Sequence, residues 1–200
     1  MSRKFIAAAS LALTLAATTL AGEALAADPP SAMESFKASH EAVLALVHKK
    51  AGNAAVEKAV DKWFDYPWIG STALGSEKKC EPRCDEYEAL LARLIRQNYL
   101  KRINQADTGK IEFVGEEVRG KKAKVETRVT FEKDGKLQTV EIDYILHLVD
   151  DRWVCRNVIT DGVSLARTYK YEFNKVIRDE GIDGLILRLE NKLAEVAKAP

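Results

Sequence analysis

The sequence has few of the groups on which common enzyme active sites depend. Its three histidines, His40, His48 and His147, lie far apart, and none belongs to an HExxH or comparable metal motif. The sequence has no GxSxG nucleophile elbow and no glycine-rich phosphate loop. These absences predict a chain with no catalytic residues, no metal site and no cofactor.

One enzymatic alternative survives these absences. A curved sheet backed by helices can enclose a pocket in which a tyrosine and a buried aspartate transfer protons. The residues available for such chemistry are Tyr144, Asp65 and Asp161. Nothing in their spacing brings them together, so this alternative is weaker than a binding function.

The chain also has almost no net charge. It carries 31 lysine and arginine residues against 30 aspartate and glutamate residues, for a formal net charge of +1. Loss of Arg3, Lys4 and Glu23 with an N-terminal leader would bring the mature charge to zero. Proteins that bind nucleic acid usually carry a basic excess, so nucleic acid is not an expected partner. Docking through local charged patches stays open.

Only one long apolar run is present, at residues 5–20. Two cationic residues precede it, and a small-x-small pattern follows at 24–26, which is typical of a cleaved secretory signal peptide over residues 1–26. A membrane anchor is the alternative, but the run is short for a span and has no cationic flank behind it. We expect residues 27–200 to form a single domain that is periplasmic and soluble after cleavage.

Cysteine is scarce, and three residues cannot all pair within one chain. Cys80 and Cys84 stand together in "CEPRC", whereas Cys155 alternates within a strand pattern as a small buried hydrophobe. In an oxidising compartment a Cys80–Cys84 disulfide is favoured over two free thiols. A metal site is a third alternative, and no other Cys or His nearby in sequence supports it.

Apolar periodicity divides the chain into helices, then strands, then helices. Helical spacing marks a first helix near the mature N-terminus, a short helix from Asn53 and a longer one from Asp85. After Gly109, apolar and polar residues alternate through about four strands. Helical spacing returns at Leu165, and Gly181 separates the last two helices. This order predicts an α+β domain with N- and C-terminal helices on one face of an antiparallel sheet.

Two segments between these elements carry further expectations. The stretch "YPWIGSTALGSEKKCEPRC" is rich in turn residues and is predicted to be a loop with one helical turn. The helix behind it has a basic side with Arg93 and Arg96, which is a candidate docking surface.

Several aromatic residues fall at positions that periodicity turns inward. They are Phe64, Tyr99, Phe113, Phe131, Tyr144, Tyr169 and Phe173. The simplest interpretation is that they fill a core, and the alternative is that they line a hollow interior. Periodicity is the same in both cases, so it does not decide between them.

The segment "WVCRNVITDGVSLARTYKYEF" resembles a known signature. In that signature a strand tryptophan leads through a V-x-I/V-D-G-V-S-L turn into a helix with Tyr and Phe four residues apart. This chain supplies Trp153, Val158, Asp161, Gly162, Val163, Ser164, Leu165, Tyr169 and Phe173. The signature is that of the MlaC, or toluene-tolerance auxiliary, family of periplasmic phospholipid carriers of the Mla lipid-asymmetry pathway.

A second segment carries the same resemblance. "FDYPWIGSTALG" is similar to the family's F-D-(x)3-M/I-(x)3-A-L-G stretch, and "IDYIL" and "GIDGLILRLENK" are similar to its third strand and last helix. The chain departs from the family at Asn157, where Asp is usual, and at Arg156, where Tyr is frequent. Residues 76–84, with two cysteines, replace a Trp-containing stretch.

The resemblance implies a strongly twisted antiparallel sheet wrapped by helices around an apolar lipid cavity. It implies phospholipid as cargo, with an outer-membrane lipoprotein complex and an inner-membrane ABC transporter with an MCE-type subunit as partners. A carrier of another apolar lipid, such as a hopanoid, is the binding alternative. The residues expected to line the cavity are Phe64, Ile69, Leu94, Tyr99, Val125, Val129, Phe131, Ile142, Tyr144, Leu146, Val163, Leu165, Tyr169 and Phe173.

Overall fold

The computed structural model describes residues 31–106, 110–133 and 135–198. The predicted signal peptide lies outside these residues, as do Gly109 and Asp134. The helices are α1 (Ala32–His48), α2 (Asn53–Asp61), α3 (Tyr66–Leu74), α4 (Cys84–Ala106) and α5 (Leu165–Lys198), with a 3-10 turn at Glu77–Lys79. The strands are β1 (Lys110–Arg119), β2 (Lys122–Lys133), β3 (Lys136–Val149), β4 (Arg152–Thr160) and β5 (Val163–Ser164).

Helix α1 begins where a side chain satisfies its free backbone donors. The Ser31 Oγ accepts a hydrogen bond from the Glu34 amide at 3.0 Å, as an N-cap does. Phe36, His40 and Val43 form its buried face at steps of three and four. The helix at Asn53 is also present as predicted.

Helix α3 corrects the expectation of a loop at this point. Asp65 Oδ1 accepts from the Trp68 amide at 3.2 Å, Pro67 stands in the first turn, and Gly75 ends the helix with φ of 73°. Proline at the start and glycine at the end are favourable helix boundaries. Proline and glycine are also frequent in loops, which is why the composition of this stretch predicted a loop. Between them Ile69, with its neighbours Ala73 and Leu74, packs into the core and stabilises the short helix.

Helix α4 starts at Cys84, one residue before the predicted start. One residue of its basic side is already engaged in ion pairs. The Arg96 guanidinium bonds to Asp61 at 2.8 Å and to Glu57 at 3.2 Å, and its side chain is only 17% exposed. Arg96 therefore joins α4 to α2, and of the two basic residues only Arg93 is left exposed to solvent.

The five strands pair in sequence order as an antiparallel meander. The predicted α+β class is confirmed, with four long strands and a two-residue fifth. The turn between β4 and β5 is Asp161-Gly162, whose φ angles of 46° and 80° are both positive. A two-residue hairpin turn of this kind favours Asp or Asn followed by Gly. Asp161 also bonds in both directions to the backbone of Glu141, which fastens the turn to β3.

Two β-bulges curve the sheet around the helices. The register shifts between Phe113 and Gly115 on β1, and between Cys155 and Asn157 on β4, so Val114 and Arg156 are the extra residues. Such insertions bend a strand and increase its twist. Beside the second bulge, the Cys155 amide donates to the Trp63 carbonyl at 2.6 Å, and the Asp65 amide donates to the Cys155 carbonyl at 3.0 Å.

Helix α5 packs against α3 and α4. Gly181, with φ of 70° and ψ of −170°, is not helical, so it separates two helices that meet at a kink, as the sequence predicted. The buried residues on the two sides of the kink are Tyr169, Phe173, Leu185, Ile186, Leu189 and Leu193. Within the described residues, no helix is long and apolar enough to cross a bilayer.

Cys80 and Cys84 form a disulfide whose Cα atoms are 4.7 Å apart. Cys80 is buried in the core, so the bridge fixes the 3-10 turn against the start of α4. The third cysteine, Cys155, is fully buried and unpaired, and burial raises the pKa of its thiol.

We expect a thiol reagent to distinguish these cysteines. Without reductant, the native protein should not be alkylated, and the unfolded protein should be alkylated only at Cys155, because the other two sulfurs are bonded to each other. Peptide mapping after each step is the measurement. Labelling of Cys80 and Cys84 in the unreduced protein would contradict the bridge.

In the chain-entropy model, closing so short a loop contributes roughly 2 kcal/mol, so the double serine variant should melt at a lower temperature than the wild type.

Candidate functional site

The inner face of the sheet and the buried faces of the helices enclose one continuous apolar interior. Most of the predicted lining residues are buried in it, namely Phe64, Ile69, Leu94, Tyr99, Val125, Val129, Ile142, Tyr144, Leu146, Tyr169 and Phe173. Phe131 and Leu165 are half-buried against its margin. Opposed strand pairs such as Val125–Tyr144 and Thr127–Ile142 place these residues on the same face of the sheet.

Val163 is the exception, and its predicted inward position is wrong. Its side chain is 64% exposed. Val163 pairs with Thr160 directly after the tight turn and belongs to a strand of only two residues. Because β5 is the last strand at one edge of the sheet, the helices do not cover Val163.

Aromatic rings dominate one part of the interior. This aromatic cluster consists of Phe36, Trp63, Phe64, Tyr99, Phe113 and Tyr144, which α1, α4, the α2–α3 connection and strands β1 and β3 bring together. Trp63 stacks on Phe64 with ring centroids 4.2 Å apart and meets Tyr99 edge-on at 4.9 Å. The ring centroids of Phe36 and Tyr144 are 4.1 Å apart. The lining predicted from sequence omitted Phe36, Trp63 and Phe113, although Phe113 was among the aromatic residues that periodicity turns inward.

A second group of rings lies where α5 meets α4. Tyr169 and Phe173 stack with centroids 4.9 Å apart, as residues one helical turn apart can do, and Phe173 meets Tyr87 edge-on at 6.1 Å. The Tyr87 hydroxyl donates to the Gly70 carbonyl at 3.0 Å. Burial raises the pKa of Tyr169 to about 12, so its hydroxyl is neutral at physiological pH.

The start of α5 is held by the segment in which the family resemblance is strongest. Asn157 Oδ1 accepts from the Ala166 amide at 2.9 Å, and Asn157 Nδ2 donates to Ser164 Oγ at 3.0 Å. Ser164 Oγ also accepts from the Arg167 amide at 3.2 Å and so caps the helix. An aspartate at 157 could accept the same amide bond, so the asparagine keeps the geometry and removes one negative charge from the helix start.

Arg156, the extra residue of the bulge on β4, joins that strand to α3. Its Nε donates to Asp65 Oδ2 at 2.9 Å, and its guanidinium lies 5.0 Å from the centre of the Trp68 ring. A terminal nitrogen lies 3.1 Å from His147 Nδ1. Burial and the Arg156 charge lower the pKa of His147, which favours the neutral imidazole. Arg156 thus binds α3 to the bulge on β4, and these contacts give it a structural role.

The structure does not assemble the proton-transfer residues. Asp65 caps α3 and pairs with Arg156, while Asp161 is exposed and bonds to the backbone of Glu141. Burial raises the pKa of Tyr144, and its ring packs against Phe36. In the part of the chain that the structure describes, no group of three or more His, Cys, Asp or Glu residues is placed to hold a metal ion.

One polar pair lies within the apolar interior. His40 Nδ1 is 3.2 Å from the Tyr99 hydroxyl. Burial raises the pKa of Tyr99 well above its ordinary value, so the hydroxyl stays protonated and can donate to the neutral imidazole. Burial also lowers the pKa of His40, because a charged imidazole would lose its hydration there.

The family model described as MlaC protein matches residues 39–191 of this chain. The chain belongs to the MlaC family. The match begins within α1 and ends within α5, so it includes the whole sheet and the aromatic and polar groups described above, except Phe36. No curated protein matches the chain closely enough to count as a relative.

A solved structure has the same fold. It is a phospholipid-binding protein from Ralstonia solanacearum, determined in complex with a phospholipid. It superimposes with a TM-score of 0.69 at 20% identity, over 84% of this chain and all of that chain. At this identity the likeness concerns the fold, and it agrees with the membership of the MlaC family.

The pH dependence of stability should reveal the buried histidine. Between the ordinary pKa of histidine, about 6.5, and the lower pKa of folded His40, the unfolded chain binds more protons than the folded chain. The free energy of unfolding therefore contains the full contribution of neutral His40 above that range, and it falls as the pH drops through the range. We expect the melting temperature of the wild type to fall more steeply on acidification than that of His40→Gln.

His147→Gln is the matched control, because His147 also has a lowered pKa but is less deeply buried. Its curve should stay closer to the wild type than that of His40→Gln. Melting curves measured by circular dichroism across the acid range give the slopes. Parallel curves for the wild type and His40→Gln would show that His40 is not the group responsible.

Proposed function

We propose that this chain is a periplasmic carrier that holds the acyl chains of a phospholipid in its apolar interior and moves the lipid between membrane complexes. The main support is the continuous apolar face formed by sheet and helices in a chain of the MlaC family. A protein of the same fold with a bound phospholipid adds to it. The headgroup would stay near solvent, since a charged phosphate is costly to bury.

The energetics favour such a cargo. Burying one CH₂ contributes about 0.8 kcal/mol, so an acyl chain of ~16 carbons contributes roughly 13 kcal/mol before losses. Entry of the chain would separate some of the ring contacts, each worth about 0.5–1.5 kcal/mol beyond the buried area. The gain from the acyl chain exceeds the loss of several ring pairs. We therefore propose that the interior opens around an entering acyl chain.

The same energetics require partners for loading and release. A ligand this apolar does not leave freely into water, so a receiving protein must favour an open or emptied state of the carrier. We propose an outer-membrane lipoprotein complex at one end and an inner-membrane ABC transporter with an MCE-type subunit at the other. The predicted signal peptide and the Cys80–Cys84 bridge both fit an oxidising compartment between two membranes.

Purified protein should carry phospholipid and take it up from vesicles. The physical reason is the apolar interior, which gains free energy by burying acyl chains. Solvent extraction followed by lipid mass spectrometry identifies the cargo, and a hopanoid in the extract would favour the alternative carrier. Protein that is free of lipid and cannot acquire it from vesicles would contradict the proposal.

Two interior substitutions should separate a lipid-filled interior from a solid core. In a solid core Phe173→Ala costs about 3–5 kcal/mol. If Phe173 contacts a flexible acyl chain, the stability loss should be smaller and lipid retention should fall. Val129→Trp should displace lipid and leave the fold intact, whereas overpacking destabilises a solid core. The measurements are melting temperature and lipid content for each variant.

Val118→Trp is the matched control, because Val118 lies on β1 and is 50% exposed. It should change neither lipid content nor stability appreciably. Severe destabilisation of both interior variants in delipidated protein, together with negligible lipid in the wild type, would show that the interior is solid.

A further inference from the structure

One buried donor in the aromatic cluster has no partner. Among the described residues, two buried side-chain polar atoms lack a hydrogen bond, Trp63 Nε1 and Gln97 Oε1. Gln97 is half-buried on α4, whereas the whole of Trp63 is only 3% exposed. The indole N–H is a donor only, and a buried tryptophan normally finds an acceptor for it.

The surroundings of Trp63 explain why no side chain satisfies it. Its ring neighbours are Phe64, Tyr99, Phe36 and Tyr144, with centroids between 4.2 Å and 6.0 Å away. The Tyr99 hydroxyl lies next to His40 and is not within hydrogen-bonding reach of the indole N–H. The backbone of Trp63 is held by the bond from the Cys155 amide, and the residue is only 3% exposed, so packing keeps the indole among these rings.

An unpaired N–H in this place costs about 1–3 kcal/mol, and a phenylalanine would avoid that cost. A fully apolar wall would serve a purely hydrocarbon ligand better. The ligand that suits a tryptophan here is mostly hydrocarbon and carries a neutral acceptor. A charged phosphate does not fit, since the ring neighbours of Trp63 offer no cation to offset its desolvation.

We propose that the Trp63 Nε1–H donates a hydrogen bond to an ester carbonyl oxygen of the bound acylglycerol lipid. This inference rests on the proposed carrier function and extends it to the chemical class of the cargo. The indole selects lipids whose chains are joined through esters. An ether oxygen is a weaker acceptor, and a hopanoid skeleton has no ester carbonyl to offer.

The test compares two phospholipids with the same headgroup and chain length, one with ester-linked and one with ether-linked chains. Affinity of the delipidated protein is measured from vesicles of each lipid. One neutral hydrogen bond contributes little enough that the wild type should prefer the ester roughly three- to tenfold. Trp63→Phe should bind both lipids with equal affinity. Trp68→Phe is the matched control and should keep the preference, because the Trp68 ring lies against Arg156 and His147.

An NMR measurement on the wild type makes the test independent of the folding of the variant. In protein labelled with ¹⁵N-tryptophan, the indole N–H signal of Trp63 should move downfield with the ester lipid and much less with the ether lipid. Equal affinities of the wild type for the two lipids, as expected if a buried water satisfies the indole, would overturn this inference and leave the carrier function standing. A preference that survives in Trp63→Phe would also overturn it. Binding of neither lipid would contradict the carrier function itself.

Discussion

The fold depends on covering the apolar inner face of β2 and β3. Side chains such as Val125, Ile142 and Leu146 project from that face and would meet water if the sheet stood alone. An antiparallel sheet with one apolar face needs a second layer, and helices from both ends of the chain supply it. The two bulges curve the sheet so that one layer of helices can cover it. The apolar interior in which we propose a lipid is the space between these layers.

Period and turn chemistry made the architecture readable from the sequence, because β2 and most of β3 alternate regularly and the hairpin turns carry Asp or Gly. Helix α3 was missed for a physical reason, since its proline and glycine mark its ends and its stability comes from tertiary packing of Ile69 and Ala73. The exposure of Val163 was also hidden, because a strand of two residues has no period. The contact of Trp63 with Tyr99 and the pairing of Arg96 with α2 join residues far apart in sequence, which no local pattern encodes.

Arg156 and Asn157, where the resemblance leads us to expect departures from the family, attach helices to β4 and do not line the interior. Arg156 uses the bulge on β4 to reach Asp65, which belongs to the second matched segment and caps α3. Asn157 holds the start of α5 by bonds that an aspartate could largely reproduce. Both substitutions secure a helix against β4, and neither side chain belongs to the aromatic cluster. Variation at these positions can therefore change the stiffness of the frame without changing what the interior contacts.

The backbone pairing of residues 63–65 with Cys155 makes one wall of the interior more rigid than the other. On that side the wall is part of the hydrogen-bonded sheet, and the Asp65–Arg156 pair reinforces it. The described contacts of α1 with the sheet and α4 are instead made through side chains, among them the bond from the Met33 amide to Glu116 and the His40–Tyr99 pair. A wall held by side chains yields before a wall held by paired backbone. When the interior changes volume, we expect α1 to move and Trp63 to stay in place.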